Sequence, residues 1–129
     1  MPSLRCVAHN GNYPKTIETD WIAPNATLVG NVNVKQGSSI WHGAILRGDK
    51  SAINIGRNCM VQDNSQIRGD VEIGDNVYVG ANAKLNNCEL ESFSYVGMGA
   101  SVGKGSVVES FAVVAAGANL PEGTTVPSG

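Results

Sequence analysis

The sequence predicts an all-β chain, a parallel β-helix of stacked six-residue repeats in about six coils, and three observations carry that prediction. An aliphatic residue returns at every sixth position through most of the chain. A small residue, alanine or serine, follows four positions later in most repeats. The period-two alternation and hairpin signals that a sandwich of short strands would need are not found.

Taken in order, residues 1–21 are expected to form an N-terminal extension and residues 22–129 the β-helix. The series opens with Ile22, Leu28, Val34, Ile40 and Leu46. A short insertion, DKSAIN, then delays the next member to Ile55, which is followed by Val61, Ile67, Ile73, Val79 and Leu85. One five-residue step leads to Leu90, and Val96, Val102, Val108, Val114, Leu120 and Val126 complete the run. The small positions are Ala26, Ser38, Ala44, Ser65, Ala83, Ser94, Ala100, Ser106, Ala112 and Ala118.

A six-residue unit cannot hold a strand and a crossover helix, so each unit reads as a short strand with a corner. Three units close a triangular coil of about 18 residues. Gly30, Gly37, Gly43, Gly56, Gly74, Gly80, Gly97, Gly99, Gly103 and Gly105 are expected at the corners, where the backbone turns without a Cβ. The aliphatic ladder fills the interior, so any function is expected on the outer faces.

The bulk composition narrows the function classes. A chain of 129 residues is one domain, and with 5% aromatic residues its core must be packed by short branched side chains. A formal charge of -2 offers no basic field for nucleic acid. No apolar run approaches the roughly 18 residues of a spanning helix, so the expected relation to a membrane is peripheral. Cys6, Cys59 and Cys88 are an odd set without CxxC spacing, which argues against a disulfide framework or zinc ribbon and for a reducing compartment. The opening MPSLRCVAHNGNYPK has neither a secretory nor an organellar leader pattern, so an imported protein would be represented by its mature form or an unusual precursor.

Taking every third unit sorts the core positions into faces. Leu28, Leu46, Ile67, Leu85, Val102 and Leu120 share one face, and Ile40, Val61, Val79, Val96 and Val114 share another. The residues that follow the first set make a vertical ladder of Arg47, Arg68 and Asn86, with Asp49 and Asp70 of LRGD and IRGD available to offset the cations. On the other face Gln62 and Asp63 lie one coil from Ala81, a polar pair that suggests an interface. The RGD tripeptides do not imply adhesion, and Asn25-Ala26-Thr27 is discounted as a glycosylation acceptor, because no secretion signal precedes them. Cys59 and Cys88 read as buried thiols, and Phe93 and Phe111 as an outward stack one coil apart. His9 and His42 have no spacing that would let them share a metal, and neither is placed as a general base.

The segments SSIWHGAILRGDKSAINIGRNCMVQDN, IGDNVYVGANAKLNNCELESFSYVGMGASV and VVAAGANLPEGTTVPSG resemble the γ-class carbonic anhydrases over nearly the whole chain. The resemblance implies a left-handed β-helix that forms trimers, with a zinc site between chains in active members. Two of its histidine ligands come from one chain and the third from a neighbour. It matches Arg47 and Asp49 to an interface salt-bridge pair, and Gln62 and Asp63 to a polar pair beside the catalytic water. At the three ligand positions it places Arg68, Ala81 and Asn86. Catalytic zinc needs about three protein ligands and an open position for water. Arginine cannot ligate and alanine has no donor.

The expectation is therefore a chain with no catalytic residue, no metal and no cofactor of its own. The family's loop after the first ligand is shortened here to RGDVE, and its C-terminal helix is expected to be missing or lost. The resemblance further implies a heterotrimer with homologous γ-carbonic anhydrase-like chains. Such a trimer would lie on the matrix side of the mitochondrial inner membrane, against membrane-arm subunits of respiratory complex I. The alternative is a stand-alone, cytoplasmic trimer, a carbonic anhydrase-like or hexapeptide acyltransferase-like enzyme with an atypical site.

Overall fold

A computed structural model describes residues 5–16 and 19–129, with the side chains of Arg5, Asp49 and Lys50 also outside the described set. Every regular element among the described residues is a β-strand, and no helix is long and apolar enough to cross a membrane. The strands pair in parallel with partners one coil away, on three faces.

On the first face, residues 27–29 of the strand Thr27–Val34 pair with residues 45–47 of Ile45–Ile55. Gln66–Arg68, Lys84–Asn86, Ser101–Val102 and Asn119–Leu120 continue the stack. The second face holds residues 32–34 and 53–55, then Val71–Ile73, Glu89–Leu90, Val107–Val108 and Thr125–Val126. The third runs from Trp21–Ile22 through Ser39–Ile40, Met60–Val61, Tyr78–Val79 and Tyr95–Val96 to Val113–Val114.

The six-residue series is the interior of this prism. Leu28, Ile40, Leu46, Ile55, Ile67, Leu85 and Leu90 are among its largest fully buried side chains. Burying each contributes about 1.5–3 kcal/mol. The small series lies beside it, and nine of its ten members are buried while Ala118 is partly so. Only short side chains fit where three walls converge. The insertion enters at one corner, where Gly30 pairs with Gly48 but Val32 pairs with Ile53, so the extra residues leave the core register intact.

Two features depart from the sequence reading. Residues 5–15, expected to precede the helix as an extension, extend its parallel stacking. Arg5–Val7 pairs in parallel with residues 27–29, and Lys15 bridges to Asn33. A tight turn at Asn10-Gly11, a hairpin signal in the sequence that the period count passed over, joins these pieces. His9 and Asn12 exchange backbone hydrogen bonds of 2.8 and 2.9 Å across it.

The second departure concerns the corners. Of the ten glycines assigned to turning, Gly56, Gly74, Gly80, Gly97 and Gly103 do not have positive φ. They serve close stacking instead: a Cβ on Gly97 would sit 2.5 Å from the Ala116 nitrogen and 2.8 Å from the Val114 oxygen. The turning residue is the third after the core aliphatic at most corners, and the second after Leu28, Ile67 and Leu85, where Gly30, Gly69 and Asn87 have positive φ. At the third position it is glycine in some coils, but Asn58, Asn64, Asn76, Asn82, Phe93 and Phe111 in others, these six with φ between 54° and 65°. Asparagine tolerates this region because its short polar side chain bonds locally; phenylalanine has no such compensation.

Candidate functional site

The ladder expected on the first face is present. Leu46, Ile67 and Leu85 are buried in register, so the residues that follow them stand outward, and Arg47 pairs with Arg68, which pairs with Asn86. Adjacent coils are about 4.8 Å apart, which brings two guanidinium-bearing residues onto neighbouring strands. Arg47 is engaged within the chain. The side chain of Asp49, its expected partner, lies outside the described residues, so that pairing is not described. Asp70 is exposed, and its backbone N–H donates to Asn87 Oδ1 at 2.9 Å. Asn87 Nδ2 donates in turn to Asn86 Oδ1 at 2.6 Å, which fixes the Asn86 carboxamide on the groove wall.

The sequence reading missed the second column of this face, formed by the residues just before each core position. Gln66, Lys84, Ser101 and Asn119 stand there in register. Together with Arg68 and Asn86 they line a groove of about 220 Å³ whose wall has two cations and no carboxylate. The signal was available: the same period-of-three sorting, applied one residue earlier, lists them.

Gln62, Asp63 and Ala81 lie elsewhere, at the corner that follows the third face. The Asn82 N–H donates to the Asp63 carbonyl at 2.9 Å, and the Gly99 N–H to the Ala81 carbonyl at 2.9 Å, so Asp63 and Ala81 are vertical neighbours. His42 is the next residue of that column, since its carbonyl accepts the Asn64 N–H at 2.8 Å. Its ring meets that of Trp21 edge-on, with centroids 5.4 Å apart. Asp63 Oδ1 is buried and has no hydrogen-bond partner. The three positions matched to zinc ligands are thus split between one face and a different corner of the same chain.

The donor chemistry at those positions does not fit zinc. An arginine, an alanine and an amide offer no ligand set of the kind zinc takes, and no three of His, Cys, Asp or Glu gather into a group that could hold a metal among the described residues. The thiols are equally unsuited. Cys59 and Cys88 are buried; burial raises the pKa of Cys59 and pushes that of Cys88 up to about 12, with a smaller opposing effect from the Asn86 backbone. Asn25 accepts the Gly43 N–H at 2.9 Å through its side chain, so it acts as a corner cap.

A different face is acidic. Asn33, Asn54, Glu72 and Glu89 stand in one column, with Asn33 donating to Asn54 at 2.9 Å and Asn54 to Glu72. Phe93 and Phe111 stack as expected, with centroids 5.1 Å apart and planes within 4°.

A triangular β-helix with an inert interior and polar ladders outside is the architecture of the hexapeptide-repeat proteins. Residues 52–87 match the family described as bacterial transferase hexapeptide (six repeats). A hexapeptide transferase family protein from Anaplasma phagocytophilum has a crystal structure that superposes with a TM-score of 0.94 at 37% identity, over 97% of this chain and 76% of that one. Two Arabidopsis thaliana proteins, mitochondrial gamma carbonic anhydrases 1 and 2, are 41% and 43% identical over 119 residues. Those alignments cover 84% of this chain and 43% of each relative, so the chain spans less than half the length of either. The chain belongs to the hexapeptide-repeat family, and within it to the γ-carbonic anhydrase-like proteins.

Proposed function

We propose that this chain is a non-catalytic γ-carbonic anhydrase-like structural subunit, one of three chains in a homo- or heterotrimer, placed on the matrix side of the membrane arm of mitochondrial respiratory complex I. The observation that carries the reading is the set Arg68, Ala81 and Asn86 at the three positions the family resemblance assigns to zinc ligands. A side chain that is permanently cationic stands at one of them, and it repels a divalent ion as well as failing to bind it. The mitochondrial names of the Arabidopsis relatives support the location. Any zinc in the assembly would be held by histidines of sister chains.

The test has two parts. The purified chain is expected to hold no stoichiometric zinc and to leave the rate of CO₂ hydration at the uncatalysed value; one zinc per chain with turnover would reject the non-catalytic reading. In native electrophoresis of gently solubilised source membranes, mass spectrometry is expected to find the chain at the mobility of complex I. Migration only as a small free trimer would reject the assembly. The transferase wording of the matched family favours a second reading, an acyltransferase, which predicts saturable binding of an acyl-coenzyme A by the isolated protein.

A further inference from the structure

Phe93 and Phe111 occupy corners where other coils use glycine or asparagine. Their φ angles of 65° and 64° lie in the left-handed region, which a bulky side chain adopts only at a cost. The rings stack on each other yet remain 52% and 63% exposed, so packing within this chain does not offset that strain. A residue held in an unfavourable backbone region without local compensation points to a use outside the chain. The two rings form an apolar ridge where the second face turns into the third, after Glu89–Leu90 in one coil and after Val107–Val108 in the next.

A groove of about 390 Å³ runs along the second face up to this ridge. Ser92 and Ser110, which line it, directly precede the two phenylalanines, and its charged groups are Glu72, Glu89 and Glu91. Among the described residues no lysine or arginine lines it. Beyond Arg68 the sequence holds two cations, Lys84 and Lys104, against seven carboxylate side chains. Lys84 lies on the first face and Lys104 at the corner that follows it, so neither stands at the ridge. Glu72 accepts a hydrogen bond from Asn54, and Glu91 accepts the Ser110 N–H at 3.1 Å. These neutral donors fix the carboxylates in place without neutralising them, and Glu89 is exposed.

We propose that the Phe93–Phe111 ridge, with the glutamate groove beside it, is a docking surface for an arginine-bearing segment of a partner protein. A guanidinium stacks on a ring face and forks onto a carboxylate, a combination that arginine supplies and the point charge of lysine does not. The rings need an occupant that excludes water from them, and the carboxylates need a cation. Nucleic acid and anionic lipid surfaces are polyanions, which this face repels. The surface does not rest on the trimer reading. Arg68 and Asn86 lie on the first face and Ala81 at the corner after the third, whereas the ridge lies at the corner between the second and third.

The experiment is fluorescence anisotropy of a fluorescein-labelled nonapeptide of alternating arginine and leucine, titrated with the purified chain at fixed ionic strength. Circular dichroism shows that each variant is folded. The peptide is expected to bind saturably, and about tenfold more weakly to a variant carrying both Phe93→Asn and Phe111→Asn. That variant places at both corners the residue that other coils use there. Glu72→Gln combined with Glu89→Gln is expected to weaken binding severalfold and to flatten its salt dependence. Glu122→Gln, at the corner between the first and second faces, leaves binding unchanged. A lysine–leucine peptide of the same length binds more weakly than the arginine peptide. If the asparagine pair fails to fold, Phe93→Gly with Phe111→Gly takes its place. Binding that ignores the ring variants, equal affinity for the two peptides, or no saturable binding overturns the proposal. Self-association of the unliganded chain that is lost in the ring variants, read by sedimentation velocity, overturns it as well, since a second copy then covers the ridge.

Discussion

Four serines fill small slots of the core, and their hydroxyls are not equivalent. Ser38 Oγ donates to the Gly56 carbonyl at 2.7 Å and accepts the Cys59 N–H at 2.9 Å, so it links two coils. Ser65 Oγ donates to the Gly80 carbonyl at 2.8 Å. Ser94 Oγ is buried with no partner. Removing a hydroxyl that satisfies a buried N–H leaves that group orphaned, whereas removing an unpartnered one relieves a desolvation penalty. Ser38→Ala is therefore expected to lower stability by about 1–3 kcal/mol. Ser94→Ala is expected to leave it equal or higher. Urea unfolding midpoints of the two variants check the difference, and equal losses would mean that slot volume alone matters.

The repeating element is a two- or three-residue strand, a close passage and a left-handed corner, and the close passage is its least forgiving part. At Gly97 the nearest atoms are backbone atoms of the next coil, which a side chain cannot displace without moving the stack. At Gly99, two residues on, φ is 73° and nothing lies within 4 Å of a Cβ. Gly97→Ala is expected to cost about 1–3 kcal/mol or more through overpacking. Gly99→Asn should cost less than about 1 kcal/mol, since asparagine occupies the equivalent corner in other coils and suits this region. Thermal melts of the two proteins compare them directly; a reversed order would reject the division of glycines into packing and turning kinds. Phe93 and Phe111 show the corner's tolerance at its limit. Left-handed geometry costs each ring roughly 1–2 kcal/mol, and the stack returns about 0.5–1.5 kcal/mol. Their exposures of 52% and 63% leave little further burial to add.

Across the whole molecule each coil touches only its neighbours, so stability is close to a sum of coil and interface contributions rather than a property of one central core. Burial follows that pattern. Ile67 and Leu85 are at 0% and 1% exposure in the middle of the first-face stack, while Leu120 and Val126 are only partly buried. Native-state hydrogen exchange is expected to be slowest at amides near Ile67 and Leu85 and at least tenfold faster near Leu120 and Val126. Uniform protection along the axis would mean that the coils unfold as one unit. Arg68, Ala81 and Asn86 stand outside the buried aliphatic column, and Ile67, Val79 and Leu85 within it.

The sequence alone determined the interior, because a six-residue period forces every sixth side chain into the same enclosed column, and it showed Arg47, Arg68 and Asn86 as a ladder by the same arithmetic. Tertiary structure alone decided the rest. Periodicity says which residues point outward but not how closely backbones pass, so it could not separate the packing Gly97 from the turning Gly99. Nor could it show that residues 5–15 extend the stack, since they break the period while still pairing with Thr27–Val34. The orphaned oxygen of Asp63 and the acid-free groove beside Arg68 were invisible for a related reason: hydrogen-bond satisfaction depends on which donors arrive within about 3 Å, and that is set by the folding of distant segments onto one another.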